Sequence, residues 1–183
     1  MKNLCPLLFL LLLTTQLLAA NDLAAKPSAP KIIRVCFFAS GLNNGTSWAD
    51  AFLELTDALN VAVEGDEIWV TFGIYFPTHG TDRNASFVLK NGVAIYGGFA
   101  GTESSVQQRT FNAGATFLSG DIGTILDKND NSYHVVKGEN LSYVLLDYLA
   151  IESGNATGSS EKDKKGGGLY LTLLPNSRSF VSI

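Results

Sequence analysis

Cysteine is nearly absent from this chain. Only Cys5 and Cys36 occur among 183 residues, too few for the disulfide framework that staples small secreted modules. Cys36 has no His or Cys beside it and reads as a small apolar side chain within the run 32–38. Charge is scarce as well, at 16% of residues with a net charge of −4. No basic patch stands out, so nucleic acid is excluded as an expected partner, since phosphate binding needs clustered Lys and Arg. Histidine occurs only at His79 and His134, each isolated in sequence. Neither reads as a ligand or a catalytic base; His134 reads as a strand-edge side chain. Long apolar runs are missing beyond residue 20, so no later stretch is long enough to cross a bilayer.

What is present begins with the first twenty residues. Lys2 gives a minimal positive start, 4–13 is almost purely apolar, and Ala19 and Ala20 are small. This is the layout of a cleaved signal peptide, 1–20, with Ala25 as a second cleavage position. Residues 21–30, rich in Ala and Pro with one Lys, read as a linker. The domain proper is expected over 31–183, and its location as secreted or cell-surface.

Within that domain, short β-type runs recur. They are 31–39, Ile68-Trp69-Val70, Phe87-Val88-Leu89, Val93 to Tyr96, Thr116-Phe117-Leu118, His134-Val135-Val136, Val144-Leu145-Leu146 and Gly168-Leu169-Tyr170. Each is bounded by Gly, Asn, Asp or Ser. None is long enough to form a sheet alone. The Asn91-Gly92 step between two of them is a turn signal. Val70 to Ile95 is 25 residues, Ile95 to Phe117 is 22 and Leu145 to Leu169 is 24. Such periods predict stacked coils of short strands, a solenoid. A single helical segment is expected over about 47–64. Ser47 and Asp50 suit a capping box, Trp48, Phe52, Leu55, Leu59 and Ala62 share a face, and Gly65 stops the helix. One amphipathic helix before a series of strands predicts a cap over the open end of the stack.

Three groups of residues carry a resemblance. Gly45-Thr-Ser-Trp-Ala-Asp-Ala-Phe, Asp57-Ala-Leu and Gly65-Asp-Glu-Ile-Trp-Val form the first. Asn91-Gly-Val-Ala-Ile-Tyr-Gly-Gly-Phe-Ala-Gly-Thr-Glu and Leu118-Ser-Gly-Asp-Ile-Gly form the second. Leu146-Asp-Tyr-Leu-Ala-Ile-Glu-Ser-Gly-Asn-Ala and Gly166-Gly-Gly-Leu-Tyr form the third. In this order they resemble secreted bacterial right-handed parallel β-helix surface proteins of the pectin-lyase-like fold, over about residues 31–171. The resemblance implies an all-β fold, a right-handed parallel β-helix with one N-terminal amphipathic capping helix. Two departures stand out. Tyr148 occupies a position where that family often has Gly, which speaks against a tight turn there. After Tyr170 the pattern stops, so the resemblance implies a truncated N-terminal portion with an incomplete last coil.

That fold hosts polysaccharide lyases and glycoside hydrolases, but fold alone is no mechanism. A hydrolase needs two carboxylates facing one groove. The acids Asp66, Glu67, Asp82, Glu103, Asp121, Asp127, Asp130, Glu139, Asp147 and Glu152 are scattered among turns, and only Asp121 and Asp147 are candidates to meet on stacked coils. Arg83 and Arg109 lie in loops without an adjoining acid cluster. Residues 127–132 resemble a calcium loop in part, yet lack its sixth-position Gly and twelfth-position Glu, so they read as a polar turn. Gly97-Gly98 and Gly166-Gly167-Gly168 precede no Gly-Lys-Ser/Thr step and read as tight turns, not phosphate cradles. Trp69, Tyr75 and Tyr96 are the aromatics available to a sugar, with inward packing as their expected role. No catalytic, cofactor-binding or metal-binding residue is assigned, and no cofactor is expected. The expected function is that of an exported structural or adhesive scaffold, with polysaccharide or a host or cell-surface glycan as its partner. The alternative is a polysaccharide lyase or glycoside hydrolase, or an inactive fragment of one.

Overall fold

The computed structural model of the chain describes residues 29–110, 114–175, 177 and, as backbone, 180–182. The expected signal peptide and nearly all of the linker lie outside the described residues. Among the described residues, eleven short strands, one α-helix and a single 3-10 turn at Val106–Gln108 make up the regular structure. The strands are β1 (Ile32–Val35), β2 (Glu67–Thr71), β3 (Gly73–Tyr75), β4 (Phe87–Val88), β5 (Ala94–Phe99), β6 (Thr116–Ser119), β7 (Val136–Leu141), β8 (Leu145–Asp147), β9 (Leu149–Glu152), β10 (Leu169–Leu173) and β11 (Phe180–Ser182). The helix, α1, spans Leu55–Val61.

The strands form three sheets, ordered β1-β2-β5-β8-β11, β10-β7-β4 and β3-β6-β9. Every pairing between these strands is parallel. From β2 onward the chain visits the first, the third and the second sheet in turn, and repeats the cycle through β10. A parallel neighbour cannot follow through a tight hairpin, so each strand waits a full cycle for its partner. The turn at Asn91-Gly92 therefore joins strands of different sheets, since β4 and β5 are not partners. Gly92 takes φ +72° there.

Register places like beside like. Ile33, Ile68, Ile95 and Leu146 align across the first sheet and all are buried. Tyr75, Leu118 and Ile151 align across the third, and Phe87, Val136 and Leu169 across the second. These rows face one another in a single hydrophobic core. One position further along, Arg34, Trp69, Tyr96 and Asp147 form a row on the other face of the first sheet. The strand period of two separates the two rows.

The helix is shorter than its sequence pattern predicts. Phe52 is claimed by β1 instead. Its amide donates to Arg34 O at 2.9 Å and its carbonyl accepts from the Cys36 amide at 2.8 Å. The helix cannot start before that bridge ends. Ser47 and Asp50 do bond reciprocally, the Asp50 amide to Ser47 Oγ at 3.0 Å and Ser47 Oγ to Asp50 Oδ2 at 2.8 Å. They cap a bend, while the helix itself begins after Glu54 with no side-chain cap. Leu55, Ala58 and Leu59 of α1 are buried and pack over β1, β2 and β4.

One further expectation is corrected. Tyr148 makes its tight turn although it is not Gly, with φ +57°. Strand structure continues past Tyr170, because β10 runs to Leu173 and β11 pairs with β8.

Candidate functional site

The parallel pairing of β6 with β9 delivers two chain segments to one edge. Ser119 lies opposite Glu152, so Asp121 emerges beside Ser153 and Gly154. The backbones approach closely here. A Cβ at Gly120 would lie 2.7 Å from Ser153 O, and one at Gly154 would lie 1.9 Å from Gly167 O. Only glycine fits both positions, which gives Gly154 and the Gly166–Gly168 run a packing role.

At this edge a cavity of about 390 Å³ is lined by Asp121, Leu126, Lys128, Asn131, Ser153, Gly154 and Asn155. Its walls are tied down by long-range hydrogen bonds. Asn131 Nδ2 donates to Ser153 O at 2.8 Å. Asn155 donates its amide to Ser132 O at 2.8 Å and its side chain to Lys128 O. Arg83 joins the two walls, donating to Asn131 O at 2.7 Å and to Asn155 O at 3.0 Å. Its guanidinium lies 4.2 Å from the Tyr133 ring centroid. Asp121 accepts the Leu126 amide on both oxygens, at 3.0 and 3.1 Å. It also borders a second cavity of about 210 Å³ with Phe76, Thr78, His79, Ile122, Gly123 and Ile125.

The main cavity offers one carboxylate, one ammonium, two amides, a hydroxyl and an apolar wall from Leu126. That set suits hydrogen bonding to a polar ligand. A two-carboxylate mechanism needs a second acid in the same groove, and Asp121 is the only acid lining either cavity. Asp147, the acid expected to approach it, is engaged elsewhere, accepting from Arg109 Nη2 at 2.6 Å. Five of the other acids are likewise tied to donors of their own. Asp66 accepts from the Lys31 and Val63 amides, Glu67 from Trp69 Nε1, Asp82 from Asn84 and Glu139 from Lys162. Glu103 accepts from the amides of Ala100, Gly101 and Thr102. Burial alone would raise its pKa, but these donors together hold it below the ordinary glutamate value.

The aromatics read from sequence are packed. Trp69 and Tyr75 are buried and Tyr96 is half-buried. Trp69 stacks on Phe99 at 4.7 Å between centroids. Burial pushes the Tyr75 phenol well above its ordinary pKa. His79 pairs with Glu54 at 2.9 Å. His134 is buried, its Nδ1 3.1 Å from Gly166 O and its ring 4.9 Å from that of Tyr170. The turn read at 127–132 contains an Asx-type bond, with Asp127 Oδ1 accepting from the Asn129 amide at 3.0 Å. Among the described residues no set of three His, Cys, Asp or Glu side chains is grouped to hold a metal. Sequence reasoning did not find Arg83, Asn131 or Asn155 as a unit, because their contacts span 22 to 72 residues and leave no local spacing. No family model, no curated protein and no solved structure matches this chain.

Proposed function

We propose that the protein is an exported, non-enzymatic parallel β-helix that serves at a bacterial cell surface as a structural or adhesive scaffold contacting glycans. The observation that carries this reading is the order in which the chain visits its three sheets. Cyclic visiting with parallel pairing throughout is how a chain winds into stacked coils. Parallel crossovers are almost always right-handed, which gives the winding its hand. The helix over the first coil and the apolar, uncharged stretch 4–13 behind an N-terminal Lys support the rest. The polar cavity at Asp121 and Asn155 is the surface offered to a saccharide. Its hydroxyl-sized partners and single carboxylate favour binding over hydrolysis.

The test is the N-terminus and location of the native protein. Recovered from medium or from surface-labelled cells, it should begin at Asn21, or at Lys26 if the second cleavage position is used. Protein found only in the cytoplasm with Met1 retained overturns the reading. The lyase or hydrolase alternative is checked by incubating purified protein with a broad polysaccharide panel. Release of unsaturated or reducing sugar would establish it, and silence is expected.

A further inference from the structure

The loop from Gly120 to Ser132 closes on itself, the Ser132 amide donating to Gly120 O at 2.9 Å. Its acids fold the tip inward. Asp121 holds the Leu126 amide, and Asp130 Oδ2 takes the Thr124 amide at 2.7 Å. Three side-chain oxygens from successive residues are then left over. Asp130 Oδ1, Asn131 Oδ1 and Ser132 Oγ are all buried and have no hydrogen-bond partner. Asn131 is 4% exposed and Ser132 is 0% exposed. Buried polar atoms almost always find partners, and each orphan destabilises the fold. Asn131 has no freedom to turn away, because its side-chain Nδ2 is fixed on Ser153 O and its backbone carbonyl accepts from Arg83 Nε.

The leftover set is chemically uniform. A carboxylate, an amide oxygen and a hydroxyl are hard oxygen donors, the kind that take calcium. The loop also carries the charge for it. Asp121, Asp127 and Asp130 outnumber Lys128, the only basic residue within it, and Arg83 is the cation docked from outside. We propose that Asp130 Oδ1, Asn131 Oδ1 and Ser132 Oγ hold a divalent cation of the calcium class. One directly donating carboxylate, with two cations nearby, makes the site weak, with a Kd of roughly 10⁻⁴–10⁻³ M, the range of extracellular modules. The cation fixes the loop that supplies Asp121, Leu126, Lys128 and Asn131 to the cavity wall. This inference stands on the orphan oxygens and does not depend on the proposed export or scaffold role.

Tyr133 follows the site directly and supplies an optical test. Terbium added to the purified protein should give emission on tyrosine excitation. Millimolar CaCl₂ should displace it, and NaCl of equal ionic strength should not. Calcium should raise the thermal midpoint, because it binds the folded state. Asp130→Asn should weaken terbium binding by roughly tenfold or more. Lys128→Gln, an exposed change unlinked to folding, should strengthen it. Far-UV circular dichroism without metal verifies that both variants are folded. No terbium emission overturns the proposal. So does equal affinity in wild type and Asp130→Asn, or a midpoint indifferent to calcium, which is the behaviour expected if an occluded water satisfies these oxygens.

Discussion

Arg109 is almost fully withdrawn from water, with its side chain 8% exposed. Its charge is met on two sides, by Asp147 Oδ2 and by Gly97 O at 2.9 Å. The guanidinium also lies 5.5 Å from the Tyr96 ring centroid and 5.4 Å from that of Phe99. Breaking a fully buried pair costs about 3–5 kcal/mol, and the partly exposed Asp147 lowers that, so Arg109→Met should cost about 2 kcal/mol in urea unfolding. A loss within about 0.5 kcal/mol would reduce the pair to a surface contact. Glu103 makes a pH argument. Its pKa is lowered in the folded protein, so its ionised form stabilises the fold. That contribution is complete above the unfolded glutamate value, about 4.3, and is lost as pH falls through the lower folded value. Unfolding free energy should therefore drop with acidification below that point, and Glu103→Gln should shrink the drop. An unchanged slope in the variant would assign acid sensitivity to other carboxylates.

At the scale of elements, the junction of β5, β6 and β9 shows how unlike turns are made compatible. Gly98 takes φ +78°, and a Cβ there would lie 2.4 Å from the Tyr148 ring. Tyr148 itself occupies the left-handed region. Thr116, fully buried, ties the junction together, accepting from the Gly98 amide at 2.8 Å and donating to Thr71 O at 2.9 Å. Gly98→Ala should destabilise by about 2 kcal/mol or more, from left-handed strain plus the ring clash. Adding Tyr148→Gly should recover the clash portion, seen as coupling in a double-mutant cycle. Strictly additive losses would refute the contact. Much of this level was legible in sequence. Short β-branched and aromatic runs bounded by Gly, Asn, Asp or Ser marked β1, β2, β4, β5, β6, β8 and β10 and the start of β7, because strand propensity and turn chemistry are local, while β3, β9 and β11 went unmarked. The start of α1 was not. Trp48 and Phe52 have helical spacing, but periodicity counts side chains and cannot register that the Phe52 backbone is already bonded to β1. Arg109 with Asp147, and Arg83 with Asn131 and Asn155, were invisible for the complementary reason, since register brings them together across a full cycle of strands. The orphan oxygens of 130–132 emerged only once every nearby donor had a place.

Over the whole molecule, protection is unequal between the two ends of the stacked rows. At one end α1 lays Leu55, Ala58 and Leu59 over the first strands, and Ile33, Val35 and Phe87 beneath are buried. Beside it Phe37 folds against β3, an edge strand, where a Cβ at Gly73 would lie 2.5 Å from the Phe37 ring. Aromatic cover of this kind blunts an open edge. At the other end the corresponding inward residues Ile151, Leu169 and Leu171 are only partly buried, and Leu173 and Leu174 are exposed. Among the described residues, each of these rows has packing on one side alone. In a sheet, a strand paired on one side only, with partly exposed side chains, opens before strands paired and buried on both sides. Native-state hydrogen exchange should therefore show the amides of β10 exchanging well before those of β2 and β5, with β9 between. The order follows from burial and pairing and not from strand length, since β10 and β2 both have five residues. Uniform protection from β2 to β10 would mean that the sheets open as one unit, and the difference in burial between the ends would then carry no difference in stability.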